Sequence, residues 1–148
     1  MIALIATLVV ILASASLMWQ RRWDVRGKNL FVTGGSQGLG LAFAKLLAAK
    51  GAHVVICSRT ASKLAAAAKE IEAVRASPTQ RVSFVSADVS SFEGAKAALA
   101  QCTQPDMVVC CAGGAKPGFF LEHTEADFEG ALKTDYWTAL STAHVCRR

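Results

Sequence analysis

Near the start of the chain runs Thr33-Gly34-Gly35-Ser36-Gln37-Gly38-Leu39-Gly40, and no other segment constrains the fold so tightly. Before it, residues 29–33 (NLFVT) form an apolar run of strand length. After it, residues 39–49 place apolar side chains at helical spacing and leave Lys45 and Lys50 for solvent. Strand, glycine loop and helix in this order make a backbone cradle. Gly34 permits the tight turn, Gly38 lets the main chain approach a pyrophosphate, and Gly40 allows close packing of the helix. The helix N-terminus adds free N–H groups and the positive end of its dipole, and Ser36 and Gln37 supply further donors. A dinucleotide-binding unit of Rossmann type is expected, with a strand-to-helix turn lacking any ligand as the alternative.

The alternation continues downstream. Gly51 ends the first helix. Residues 53–57 (HVVIC) read as a second buried strand, and residues 61–76 as an Ala-rich exposed helix closed by Ser77-Pro78. A third strand follows at 81–86, a third helix at 91–102, a fourth strand at 106–111 and a long further helix at 124–145. Such alternation predicts right-handed crossovers and an α/β, doubly wound parallel sheet, here an incomplete one. At 148 residues the chain has room for a single core.

Residues 1–19 are almost entirely Ile, Leu, Val and Ala, and no charge precedes Arg21. About 18 to 20 such residues span a hydrocarbon core as a helix. Trp19 and Trp23 bracket Arg21 and Arg22, the aromatic and basic edge expected where a helix leaves a bilayer, and the positive flank predicts that the remainder faces the cytosol. Ala13-Ser14-Ala15 keeps a cleaved signal peptide open, although the start lacks a basic region and the apolar run continues to Trp19. The expected division is a transmembrane anchor at 1–19, a basic linker at 20–28 and the Rossmann portion at 29–148.

Apolar residues make up 53% of the chain and charged ones 18%, which excludes general disorder. The net charge of +5 sits at the two ends: Arg21, Arg22, Arg26 and Lys28 against Asp24, and then Arg147 and Arg148. Everything between is neutral on balance, so no nucleic-acid partner is expected. The five cysteines have no CxxC spacing and read as buried reduced thiols, and His53, His123 and His144 are scattered, so no metal site is expected.

The TGxxxGxG spacing resembles that of the short-chain dehydrogenase/reductase family. Further matches are Ser58-Arg59 after the second strand, Asp88-Val89 after the third, Cys111-Ala112-Gly113 where the family usually has Asn-Ala-Gly, and Asp135-Tyr136 where Asn-Tyr is common. An acid at the end of the second strand would bond a ribose 2′-hydroxyl and repel a phosphate. This chain offers Ser58 and Arg59, with Lys63 four residues on, so NADPH is the expected cofactor. The resemblance implies that Asp88 meets the adenine and that Gly113, with Gly114, lets the backbone approach the nicotinamide ribose. Solvation of a helix turn by Arg59 and Lys63, a turn aspartate at Asp88 and an ordinary turn at Gly113 stay open.

Within the family, the GGSQGLG, SRxxxK and CCAGG segments, a Gly-Phe-Phe run and an apolar N-terminus are most similar to the 3-ketodihydrosphingosine reductase branch. That resemblance implies a lipid ketone substrate taken from the membrane, a location at the endoplasmic reticulum membrane, and a homo-oligomer if the product is longer.

Family members protonate the carbonyl with a Tyr whose pKa is lowered by a Lys four residues on, aided by Ser and Asn. The one tyrosine here, Tyr136, is followed at that spacing by Leu140, and Asp135 replaces the Asn. No catalytic residue is therefore assigned, and the chain alone is expected to reduce no ketone. A membrane-anchored, non-catalytic nucleotide-binding or regulatory protein is the alternative, as is a reductase of another lipid.

Overall fold

The computed structural model describes residues 23–146. Strand β1 (Asn29–Thr33) leads into helix α1 (Gly38–Ala49), followed by β2 (His53–Ser58), α2 (Ala61–Val74), β3 (Val82–Ser86), α3 (Phe92–Ala100) and β4 (Met107–Cys110). All pairings are parallel, in the order β3-β2-β1-β4. β1 lies in the middle, with Phe31 level with Val55 of β2 and Val108 of β4.

Alternation along β1 divides the core into two. Leu30 and Val32 pack with Ala44 and Leu47 of α1 and Leu64 and Ile71 of α2. Phe31 points the other way and packs with Cys57, Val85, and Ala95 and Ala98 of α3. A strand buried on both faces has no polar alternation, which is why NLFVT reads as an unbroken apolar run. The doubly wound parallel sheet is thus observed. Among the described residues no helix is long and apolar enough to cross a membrane, and the span expected at residues 1–19 lies outside them.

Three details depart from the sequence reading. The long helix begins with α4 (Glu125–Ala131), widens to a π-helical segment (Leu132–Trp137), and resumes as α5 (Thr138–Cys146), preceded by a 3-10 turn at Phe120–Glu122. Within it, the Thr134, Thr138 and Thr142 hydroxyls donate to the carbonyls four residues earlier at 2.7–2.8 Å, a back-bonding that bends helices. Of the cysteines, all of them free, only Cys57 is buried; Cys110, at the end of the outer strand β4, is exposed. Lys45 is half-buried and pairs with Glu70 of α2 at 3.1 Å.

Candidate functional site

The C-terminal ends of the four strands converge on one cleft of about 480 Å3. Gly34, Ser36, Gln37, Gly38, Gly40, Arg59, Lys63, Asp88 and Gly113, all singled out in the sequence, line it together. Gly114 does not.

The floor is built by backbone proximity. Gly34 has φ of +68°, and a Cβ there would stand 2.6 Å from the carbonyl carbon of Cys111. A Cβ on Gly40 would strike the Gly34 carbonyl and come within 3.2 Å of the Cys111 Cβ. The close approach made by Gly40 is therefore to the glycine loop itself and to the end of β4. Buried Thr33 ties these parts together, its Oγ1 accepting from the Cys111 and Ala112 N–H groups at 3.2 Å each.

Helix ends give the cleft its electrostatic character. α1 and α2 both begin at it, and neither has a side-chain cap or an acid in its first turn. By contrast, α3 is capped by Ser91 and carries Glu93, and α4 has a full capping box between Thr124 and Asp127. Uncapped N-termini leave N–H donors and positive partial charge directed at whatever occupies the cleft. Arg59 and Lys63 add full charges there, and the Lys63 ammonium donates to Gln37 Oε1 at 3.2 Å, bridging α2 to the glycine loop. At the same rim, Ser58 Oγ is buried and makes no hydrogen bond. This donor set fits a phosphate-bearing ligand.

Asp88 Oδ1 accepts the Ser90 N–H at 3.0 Å, so the residue shapes a turn as well as lining the cleft. That bond, with smaller help from the Ser90 hydroxyl, Arg59 and Lys133, holds its carboxyl below the usual range. Asp135 occupies the π-helical segment, and its Oδ1 accepts the Gly114 N–H at 2.8 Å. Only an acceptor is required there, which a carboxylate supplies as well as an amide. Tyr136 is 56% exposed and does not line the cleft.

Sequence reasoning missed Thr33, Lys133 and Thr138. Thr138 is buried, and its hydroxyl shares its one proton between the Thr134 carbonyl at 2.7 Å and the Ala112 carbonyl at 3.0 Å, the second contact joining α5 to the loop after β4. The threonines spaced by four at 134, 138 and 142 were the available signal.

A family model for short chain dehydrogenases matches residues 28–147. The chain belongs to the short chain dehydrogenase family. Among curated relatives, 3-ketodihydrosphingosine reductase ksrA of Aspergillus fumigatus is 40% identical over 130 residues, covering 83% of this chain and 35% of the relative. The 3-ketodihydrosphingosine reductase TSC10 of Yarrowia lipolytica is 37% identical over 147 residues, covering 95% of this chain and 38% of the relative. Among solved structures, L-sorbose reductase from Gluconobacter frateurii, complexed with NADPH and L-sorbose, superposes with a TM-score of 0.72 at 27% identity. The match covers 82% of this chain and 46% of that one. The chain thus spans between a third and a half of the length of these relatives.

Proposed function

We propose that the chain is the cofactor-binding portion of an NADPH-dependent lipid ketoreductase, one that reduces 3-ketosphinganine to sphinganine. The observation that carries the reading is the pair of uncapped helix N-termini facing one cleft together with Arg59 and Lys63. The loop at the head of α1 would hold the pyrophosphate. Arg59 and Lys63 would hold the 2′-phosphate, and Asp88 and Gly113 would meet the adenine and the nicotinamide ribose. Bound there, the cofactor supplies a hydride. The names of the relatives from Aspergillus fumigatus and Yarrowia lipolytica support the choice of ketone, and the NADPH complex of L-sorbose reductase supports the choice of nucleotide.

The reading extends to the membrane. Residues 1–19 anchor the protein in the endoplasmic reticulum membrane, residues 20–28 form a basic linker, and residues 29–148 face the cytosol, where a lipid ketone is delivered from the bilayer. A homo-oligomer is part of the same proposal for the longer product.

One observation favours a second reading, a nucleotide-binding protein without reductase activity: Tyr136 stands outside the cleft, four residues before Leu140. Both are tested by measuring NADPH binding, and NADPH oxidation with 3-ketosphinganine, for residues 1–148 and for the longest product of the gene. Binding by both with turnover by the longer product is the expected result. Failure of both to bind NADPH would overturn both readings, and binding by both without turnover by either would favour the second.

A further inference from the structure

The cleft has two unlike walls. On the side of the sheet where Leu30 and Val32 pack, α1 and α2 bring their uncapped N-termini, Arg59 and Lys63, an array of donors suited to phosphates. On the side of Phe31, the turn between β3 and α3 brings Asp88, Val89 and Ser90. The π-helical segment, which continues into α5 packed against α3, brings Lys133 and Thr134 to the same side. This second wall sets a carboxylate and an ammonium around one space.

Lys133 has no structural duty. It is exposed, and among the described residues its ammonium makes no hydrogen bond or ion pair, even with Glu129 one turn earlier. It does act on Asp88 through space: behind the Ser90 N–H and hydroxyl, Arg59 and Lys133 both favour the charged form of that carboxylate. A phosphate set between Lys133 and Asp88 would be repelled by the carboxylate. An amino donor beside a ring acceptor would instead meet a partner for each, and adenine carries that pair along one edge, in its 6-amino group and N7. Amide side chains read this edge with a donor and an acceptor of their own; here the two functions are divided between two residues.

We propose that Lys133 reads the base of the bound nucleotide, donating to N7 of adenine while Asp88 accepts from the 6-amino group. The inference rests on the NADPH reading and adds to it a specificity-determining residue on the wall opposite Arg59 and Lys63. Its contribution is directed at the base and is indifferent to the 2′-phosphate.

The test titrates the full chain, in neutral phospholipid vesicles, with NADPH, NADH and the reduced phosphorylated dinucleotide whose base is 7-deazaadenine, following nicotinamide fluorescence. Lys133→Met keeps the apolar stem and removes the donor; it should weaken NADPH and NADH by the same factor, about tenfold. Binding of the 7-deaza nucleotide, which lacks the N7 acceptor, should not change. Lys133→Arg should recover most of the lost affinity, and the circular dichroism spectrum and Tm should be the same for all three chains. A loss confined to NADPH would assign the ammonium to the 2′-phosphate and overturn the proposal. So would an equal loss for the 7-deaza nucleotide, which would assign it to the pyrophosphate, and so would unchanged affinity throughout. If the unaltered chain binds none of the three nucleotides, the NADPH reading itself falls and the inference falls with it.

Discussion

The ammonium of Lys63, in the first turn of α2, donates to the side-chain oxygen of Gln37 at 3.2 Å, at the head of α1. Two helix N-termini are thereby linked across the mouth of one cleft. Arg59 lines the same cleft as the ammonium, at the corner proposed to take the 2′-phosphate.

Charge reversal at this corner should separate the two nicotinamide dinucleotides. A hydrogen bond to a charged group is worth about 1.5–3 kcal/mol, so Arg59→Glu should weaken NADPH about ten- to a hundredfold and NADH far less. Fluorescence titration of both nucleotides checks this, and equal losses would refute the assignment of Arg59.

Thr33 makes a second prediction, for stability. Thr33→Val keeps the shape but removes the oxygen that accepts from Cys111 and Ala112, leaving the part-buried Ala112 N–H without that partner and Cys111 with only the Thr33 carbonyl, at a cost of about 1 kcal/mol. Thr33→Ser retains the acceptor and should lose less than half as much in urea denaturation.

At Gly40 the obstacle is backbone. The methyl of Gly40→Ala falls on the Gly34 carbonyl, which cannot swing aside as a flexible side chain would. Overpacking of this kind costs about 1–3 kcal/mol, and a lowered Tm together with weakened nucleotide binding is expected because the displaced loop is the cleft floor. Unchanged nucleotide affinity would show that the floor tolerates the shift.

Acid should loosen the start of α4. Lys116, at 2.7 Å, and then the Thr124 N–H and hydroxyl hold the Asp127 carboxyl well below the usual range. A carboxyl lowered in the folded state stabilises it above the unfolded value, near about 4, and the effect is lost as pH falls through the folded value. The Tm difference between the native chain and Asp127→Asn should hold constant at neutral pH and shrink below about pH 4. A difference that grows on acidification would refute the sign.

Burial pushes the Cys57 thiol up to about 12, with Cys102 adding to the shift. In the folded chain at mildly alkaline pH, iodoacetamide should spare Cys57 and reach it only after denaturation. Rapid native-state alkylation at that position, read by peptide mapping, would contradict the packing described for the face that holds Phe31.

The strand order and the cleft were legible because both arise from local pattern: apolar runs of strand length, helical spacing, and a glycine loop between them. Lys63 and Arg59 were legible for the same reason, lying within five residues of the end of a recognisable strand. The π-helical widening at Leu132–Trp137 was not, because the segment keeps an ordinary helical period and what distinguishes it is tertiary. Thr138 fastens to the Ala112 carbonyl and Asp135 to the Gly114 N–H, contacts reaching across 26 and 21 residues. Exposure of Cys110 was hidden likewise, since an apolar run does not reveal whether its strand ends at an edge.

The helices that open on the cleft without caps have a consequence for the life of the chain. The capping that α3 and α4 receive from their own Ser91 and Thr124 is left at α1 and α2 to water or to a bound anion. An anion in the cleft is then an architectural part on loan. At a hundred times its dissociation constant it adds about 2.7 kcal/mol to the folded state, enough to change how much protein survives proteolytic surveillance. The nucleotide pool would set the abundance of such a chain before it set any rate.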